Sequence, residues 1–343
     1  SRTMTFSLSR FTGRVLYAFA LLAALFAWVS HGQAGTLDTM KERGKLLCGV
    51  SEGLPGFSAP DANGKWAGFD VDFCRAVAAA VFGDSEKVEY VSLNAVERFD
   101  ALKAGKIDLL SRNTTWTMER AIGMGFAFAG VSYFDGQGFM VSVDKGLSSA
   151  MQLRDATVCL LEGTTSVDNA RAFFARNKLT VTVKEYKQRD DALEAYEKGD
   201  CTAYSADRSA LASQRTKLKK PEDHMLLPEV ISKEPLGPVV RQDDAEWAQL
   251  VRWVLFLLVN AEEAGWDAAS AKKGDADKSI QVAAGVSKGL KLDNGWAKTV
   301  IASVGNYSEI FERNIGKDSP LKLERGINAL WTQGGILYAP PMR

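Results

Sequence analysis

Two segments of the chain share a pattern in which a helix, a glycine, a short strand and a polar run follow one another. They read RFDALKAGKIDLLSRNTTW (98–116) and RDDALEAYEKGDCTAYSADR (189–208). Gly105 and Gly199 stand where a helix commonly ends in a left-handed residue. The match is short enough to arise by chance, but strands and helices alternate elsewhere in the chain as well. This alternation predicts an α/β fold with largely parallel sheets.

The N-terminal segment has the three parts of a secretory signal peptide. Its basic residues are Arg2, Arg10 and Arg14. An apolar stretch, 15–29, and the small-residue segment 32–34 follow. A membrane-spanning helix is the alternative, but the apolar stretch is shorter than the roughly 20 residues that cross a bilayer. We therefore expect residues 1–34 to be a signal peptide.

Charge and length restrict the class of protein. The whole chain has 42 basic and 42 acidic residues, so loss of three arginines with the signal peptide leaves 39 against 42, a net charge of −3. Without a basic stripe of interleaved aromatics, nucleic-acid binding is not expected. The remainder is long enough for two domains of roughly 150 residues each. The apolar run Trp253–Val259 is too short to span a membrane and predicts a buried core helix.

Four cysteines lie in the mature chain, and none belongs to a CxxC pair. They are Cys48, Cys74, Cys159 and Cys201. Export to an oxidising compartment favours two disulfides over free buried thiols, which are the alternative. The residues alone leave three connectivities open.

Polar residues follow four of the predicted strands. They are Ser51 and Glu52, the run SRNTTWTMER (111–120), Thr164 and Thr165 after Gly163, and Asp207. Ligands of such sheets bind beyond the carboxyl ends of the strands. A hydroxyl-rich run that ends in an arginine is more than a surface turn needs, so these strand ends predict a site for a polar ligand.

The chemistry at these ends suits a zwitterion. The Arg120 guanidinium can grip a carboxylate with two hydrogen bonds, although it could equally lie on a helix surface. Thr164 and Thr165 stand at a predicted helix start, which favours an anion or is an ordinary threonine cap. Asp207 could accept an ammonium or cap the next helix. An anion site facing a cation site describes an α-amino acid.

SRNTTWTMER, GTTS and YSAD, with DANGKWAGFDVDFCRAVA upstream, closely resemble the periplasmic amino-acid-binding proteins of ABC importers. The later blocks ISKEPLGPVVRQDD, VGNYSEIFERNIG and ALWTQGGILYAPP are similar to the branch that binds general L-amino acids with broad specificity. The likeness covers nearly all of the mature chain. It implies a two-lobed periplasmic-binding-protein-like (type II) fold, in which two α/β lobes joined by two hinge strands close on the ligand.

The resemblance also implies boundaries. The first lobe would comprise residues 35–141 and 239–343, and the second 142–238, with hinges near GFMVSV and EPLGPVV. Pairing Cys48 with Cys74, and Cys159 with Cys201, keeps each disulfide within one proposed lobe.

Ligand contacts are implied residue by residue. The resemblance assigns the α-carboxylate to Arg120 and Thr165, the α-ammonium to Asp207, and further polar contacts to Asn113 and Thr115. Three features depart from the family pattern: Leu54 and Pro55 replace an aromatic ring in the first loop, and Arg112 and Trp116 are larger than usual. Glu52 could favour a basic ligand side chain or face solvent.

The implied function is a periplasmic monomer that captures L-amino acids and delivers them to an inner-membrane permease with its ATPase. No cofactor, metal site or catalytic residue is expected. Because the mature chain has one histidine, His224, hydrolysis by a histidine-assisted nucleophile is not expected either. The alternative is a periplasmic enzyme on the same fold, of the cyclohexadienyl or arogenate dehydratase type, since folds do not fix function.

Overall fold

The computed structural model describes residues 35–274 and 280–343. The predicted signal peptide, residues 1–34, lies outside this part of the chain. Strands and helices alternate through most of it, as the sequence predicts, because apolar strand segments are repeatedly followed by a glycine-terminated helix.

The strands form two five-stranded and two two-stranded sheets within the described residues. The strands are β1 (Leu46–Ser51), β2 (Ala59–Pro60), β3 (Trp66–Ala67), β4 (Val88–Leu93), β5 (Leu109–Leu110), β6 (Phe126–Phe128), β7 (Tyr133–Asp135), β8 (Gln137–Ser142), β9 (Thr157–Leu161), β10 (Thr182–Tyr186), β11 (Ala203–Asp207), β12 (His224–Leu226), β13 (Glu234–Leu236) and β14 (Val239–Arg241).

The α-helices lie mainly between these strands and in the C-terminal quarter. They are α1 (Thr36–Arg43), α2 (Phe69–Phe82), α3 (Arg98–Lys103), α4 (Ser166–Arg176), α5 (Arg189–Glu197), α6 (Arg208–Arg215), α7 (Ala245–Glu263), α8 (Ala268–Lys272), α9 (Ala284–Gly289), α10 (Trp296–Val304) and α11 (Tyr307–Asn314). A single π-helical turn covers Glu119–Gly123.

Both large sheets are mixed rather than purely parallel. The first has the order β4-β1-β5-β14-β6, and the second has the order β10-β9-β11-β8-β12. β1 runs parallel to β4 and β5, and β9 runs parallel to β10 and β11. β14 is antiparallel to both its neighbours, as is β8. β8 and β14 are the strands that follow the two points where the chain passes from one sheet to the other. Each therefore runs opposite to the other strands of the sheet that it enters.

The crossings do not lie where we expected the first hinge. GFMVSV falls within β8 and the residue after it, and β8 pairs with β11 and β12 inside the second sheet. The chain crosses instead through β7 and returns through β13, and these two strands pair antiparallel to each other. The second expected hinge, EPLGPVV, does include β13. A first boundary after residue 141 would divide the second sheet, so the proposed boundary moves to about residue 136.

Two long helices, α7 and α2, supply many of the buried core residues. The run Trp253–Val259 lies in α7, where Val254, Leu255 and Leu257 are buried, as predicted. Within the described residues, no helix has the length and apolar character to cross a membrane. α2 ends at Gly83, which has a positive φ of 70°, and it is buried on nearly all faces because it packs against β1, α7 and α10.

Both disulfides form as the lobe argument predicts. Cys48 in β1 is bonded to Cys74 in α2. Cys159 in β9 is bonded to Cys201, two residues before β11. Each bond therefore joins a strand of one large sheet to a segment packed on that same sheet. His224 begins β12 and contacts the Tyr196 hydroxyl through Nδ1 at 2.6 Å.

Candidate functional site

A cavity with an empty volume of about 400 Å³ lies between the carboxyl ends of the two large sheets. Six of the eight predicted ligand-binding residues line it: Asn113, Thr115, Arg120, Thr164, Thr165 and Asp207. Ser51 and Glu52 are not among its lining residues. Residues separated by up to 94 positions in the sequence therefore share one cavity.

Arg120 is buried and only partly used by the protein. It lies on the π-helical turn, and its Nη1 donates to the Thr115 carbonyl at 2.8 Å. Its guanidinium carbon stands 4.9 Å from the centre of the Phe99 ring, which supports the planar group from one side. Burial lowers the pKa of Arg120, and the carboxylates of Glu234 and Asp207 partly offset this. A ligand anion could therefore take the remaining donors.

The N-terminus of α4 also borders the cavity, but its threonines do not cap the helix in the ordinary way. Thr165 occupies the N-cap position, yet within the described chain its hydroxyl makes no capping bond. It donates instead to Glu234 Oε2 at 3.0 Å, and Asn169 donates to Glu234 Oε1 at 2.8 Å. Thr164 Oγ1 donates to the Leu161 carbonyl at 2.7 Å. The helix's first backbone N–H groups are thus left for an anion.

Asp207 is a buried carboxyl group at the end of β11. It stands at the N-cap position of α6, but its side chain makes no capping hydrogen bond within the described residues. The pKa of Asp207 is raised well above its usual value. Burial is the largest cause, and the nearby carboxyl groups of Asp135 and Glu234 add to it. A cation placed beside it would relieve both effects. The structure thus removes the helix-cap interpretation that the sequence left open.

Three further buried arginines line the cavity, and two of them, Arg98 and Arg189, were not predicted as site residues from the sequence. The three are Arg98, Arg112 and Arg189. Arg98 and Arg189 are the first residues of α3 and α5, which are the helices of the two similar segments described above. A cation at a helix N-terminus opposes the helix dipole, so an arginine repeated at this position in both segments was an available signal of function.

The three arginines differ in how many of their hydrogen-bond donors are used by groups of the protein. Arg98 donates to the carbonyls of Ala95 and Gly163, each at 3.1 Å, and to Thr114 Oγ1 at 3.2 Å. Arg112 donates to the Leu93 carbonyl at 2.8 Å and also binds a carboxylate, described next. Arg98 is therefore mainly a structural bridge between the two sheets.

Glu52 contacts two of the arginines that line the cavity but is not itself a lining residue. Its Oε2 accepts from Arg112 Nη2 at 2.9 Å and from Ser51 Oγ at 3.1 Å. Burial tends to raise the pKa of Glu52, but Arg112 and Arg189 outweigh this and lower it to about 2. Glu52 is thus a permanently charged partner of protein arginines. Its side chain is only 16% exposed, so it does not simply face solvent, and a contact to a basic ligand side chain stays a prediction.

Asn113 is held in an unusual backbone conformation beside a buried acid. Its φ is 31°, a value that costs free energy for a residue with a side chain. Its backbone N–H donates to Asp70 Oδ2 at 2.9 Å, and among the described residues its buried side-chain oxygen Oδ1 has no hydrogen-bond partner. Asp70 thus positions Asn113 at the cavity. Trp116, also noted as unusual, stacks on Phe128 with 5.5 Å between the ring centres. It is not among the residues that line the cavity.

The two halves of the cavity touch directly. Besides the Arg98–Gly163 hydrogen bond, the Arg189 backbone N–H donates to Glu52 Oε1 at 3.3 Å, and Ser213 Oγ donates to the Pro55 carbonyl. A Cβ atom at Gly163 would come within 3.1 Å of the Ala95 carbonyl group. The structure therefore shows a closed arrangement of the two sheets. In the described ranges no group of three or more metal-ligating side chains could hold an ion.

The sequence model of the bacterial extracellular solute-binding proteins, family 3, matches residues 46–272. The chain belongs to this family. Among family-3 relatives, the putative amino-acid ABC transporter-binding protein YhdW of Escherichia coli is 49% identical over 337 residues, which cover 96% of this chain and 99% of that protein. The general L-amino acid-binding periplasmic protein AapJ of Rhizobium johnstonii is 48% identical over 338 residues, with the same coverage of each chain.

A solved structure extends the comparison to three dimensions. The ABC transporter periplasmic binding protein from Brucella ovis with glutathione bound is 47% identical and has a TM-score of 0.88, covering 91% of this chain and 100% of that one. The predicted family and its two-lobed α/β fold are thereby confirmed. These family-3 relatives are named as binding proteins of transporters, which supports a binding protein over the dehydratase alternative.

Proposed function

We propose that this family-3 protein captures L-amino acids, with broad specificity, for an ABC importer. The carrying observation is that Arg120, the start of α4 and Asp207 line one cavity, so an anion site and a cation site face the same ligand. The α-carboxylate would bind Arg120 and the backbone N–H groups near Thr165, and the α-ammonium would bind Asp207. Asn113 and Thr115 would supply further polar contacts.

The proposed mechanism is closure of two lobes around the ligand. The first lobe contains the sheet of β1 and β14, and the second contains the sheet of β8 to β12, with β7 and β13 as the hinge. Because the cavity takes Arg120 from one lobe and Asp207 from the other, a ligand that binds both favours the closed state. Contacts such as Arg98–Gly163 exist only when the lobes meet, and they add to that preference.

The proposed partner of the closed form is an inner-membrane permease with its ATPase, and the protein would act as a monomer in the periplasm. The family assignment as extracellular and the relatives' names as ABC transporter-binding proteins support this proposal. A signal peptide over residues 1–34 would direct the export. Energy for transport would come from the ATPase and not from this chain.

Calorimetric titration against the twenty amino acids tests the proposal. The purified protein is first unfolded and refolded so that carried-over ligand is removed. We expect several L-amino acids to bind with one-to-one stoichiometry, and small-angle scattering to report a smaller radius of gyration in their presence. D-enantiomers and the corresponding acids without an amino group are the controls. Failure of all twenty amino acids to bind would overturn the proposal.

A further inference from the structure

A second cationic region of the cavity lies apart from Arg120. Arg112 and Arg189 are both buried, with side-chain exposures of 1% and 2%, and both line the cavity. They come from different halves of the molecule, since Arg112 follows β5 and Arg189 begins α5. Glu52 is the carboxylate that lies between them, at 2.9 Å from Arg112 Nη2 and 4.0 Å from Arg189 Nε.

In the part of the chain that the structure describes, the Arg189 guanidinium has no protein carboxylate at hydrogen-bonding distance, and the buried hydroxyl beside it is that of Tyr204. Glu52 Oε1 accepts from the backbone N–H of Arg189, whereas the ion-pair distance to the side chain is 4.0 Å, too long for a hydrogen bond. Within the described ranges, Arg189 Nε is buried and has no hydrogen-bond partner. A buried, partly unpaired cation is costly, so a site of this kind is retained where a ligand completes it.

The charges of this region do not balance. Among the described residues, Glu52 is the one carboxylate within 4.0 Å of the Arg112 and Arg189 guanidinium groups, and Asp70 and Asp207 act on them from farther away. One carboxylate thus serves two buried guanidinium groups. Arg98 does not fill this role, because three oxygen atoms of the protein already accept from it. Arg120 and Asp207 are assigned to the amino-acid backbone in the proposed function. The excess charge at Arg112 and Arg189 is therefore available to the ligand's side chain.

We propose that Arg189, supported by Arg112, is a specificity-determining subsite for a second carboxylate, so that the preferred ligands are α-amino acids with an anionic side chain. The negative charge of Glu52 offsets part of the positive charge of the two arginines, so neutral amino acids can still bind. This inference rests on the proposed function, because it requires the α-carboxylate to occupy Arg120.

Glutamate and glutamine are the probes, because they have nearly the same shape and differ in side-chain charge. Both are titrated into the wild type, Arg189→Met and Glu52→Gln, with Arg171→Met, a surface arginine of α4, as the control. The wild type should bind glutamate more tightly. Arg189→Met should weaken glutamate at least about 30-fold and glutamine less than about 3-fold. Glu52→Gln should change the preference in the opposite direction, raising the ratio of glutamate to glutamine affinity at least about 3-fold.

The outcomes separate the two proposals. Equal losses for both ligands in Arg189→Met, or an unchanged preference in Glu52→Gln, would overturn the second subsite while leaving amino-acid binding intact. Should Arg189→Met fail to fold, as its melting curve would reveal, Glu52→Gln decides alone, because a gain in preference cannot come from damage. A wild type that binds neither probe nor any other amino acid would instead refute the proposed function.

Discussion

Arg120 illustrates how a buried cation is kept available for a ligand. One of its nitrogens donates to the Thr115 carbonyl and Phe99 supports one face of the guanidinium, so its orientation is set without a carboxylate partner in contact. Ion pairing with a protein carboxylate would have used the same donors. Glu234 and Asp207 are close enough to influence the pKa of Arg120 but not to bind it.

Arg120→Ala should remove binding of all α-amino acids alike, because in the proposed function Arg120 binds the α-carboxylate that they share. Loss of two hydrogen bonds to a carboxylate costs about 3 kcal/mol or more, which corresponds to a fall in affinity of at least about 100-fold. Calorimetric titration measures the effect, and Arg171→Ala provides the surface control. Retained affinity for most amino acids would refute the assignment.

Asp70 predicts a specific dependence of stability on pH. Burial, partly offset by the hydrogen bond from Asn113 and by the charge of Arg112, raises the pKa of Asp70 from 3.8 to about 7. Between these values the folded state keeps a proton that the unfolded state has lost, so stability falls as pH rises from about 4 to about 7. The cost above pH 7 has an upper bound of about 4 kcal/mol.

Asp70→Asn should remove this part of the pH dependence and make the protein more stable than the wild type above pH 7. Its side-chain oxygen can still accept the Asn113 N–H. Urea unfolding at several pH values measures the free energy of unfolding, and Asp293→Asn, on the surface, is the control. Parallel pH profiles for Asp70→Asn and the wild type would contradict the prediction.

At the scale of elements, the loop between β9 and α4 joins the two halves of the molecule. Gly163 has φ +76°, its carbonyl accepts from Arg98, and its Cα faces the Ala95 backbone of the first half. Immediately after it, Thr165 is tied to Glu234 in the crossing strand β13. The start of α4 is thus connected to both the opposing lobe and the proposed hinge.

Gly163→Ala should weaken ligand binding about 10-fold, because the added Cβ meets Ala95 at 3.1 Å only when the lobes are closed. Gly199→Ala is the matched control. Its φ is +86°, so it carries a similar backbone strain, and nothing lies within 4 Å of the added Cβ. Titration with one amino acid compares the two variants. Equal affinities would show that the contact does not limit closure.

Element prediction from the sequence succeeded where the determining interactions are local. The ends of α3 near Gly105 and of α5 near Gly199 depend on glycines in the left-handed conformation, and the position of these glycines in the sequence reveals the helix ends. The first hinge could not be located in the same way. Whether a strand such as β8 lies within a sheet or between sheets depends on its partners β11 and β12, which lie about 60 to 90 residues away in the chain.

At the scale of the whole molecule, each of the two large sheets has one disulfide of its own. The Cys48–Cys74 bond closes a segment with a sequence separation of 26, and the Cys159–Cys201 bond closes one of 42. Neither bond crosses between the proposed lobes. Relative movement of the lobes is therefore compatible with both bonds, as closure on a ligand requires.

Replacing both cysteines of one pair by serine should lower the free energy of unfolding of that lobe by about 3 to 4 kcal/mol, because the unfolded chain regains loop entropy. Chemical unfolding followed by circular dichroism measures the change for each double variant. The wild type with both disulfides reduced shows the loss of stability expected when the two bonds are removed together. A double variant as stable as the oxidised wild type would contradict the prediction.

The sequence by itself determined the α/β class, the helix and strand segments and the polar strand ends, including six residues that line the cavity. Each of these follows from short-range periodicity, turn residues or a recognisable local motif. Only the tertiary structure decided that Asp207 is not a helix cap, that Glu52 binds arginines, and that Arg98 and Arg189 reach the cavity. Burial and charge pairing depend on residues far apart in the chain, and they are defined only when the two sheets meet.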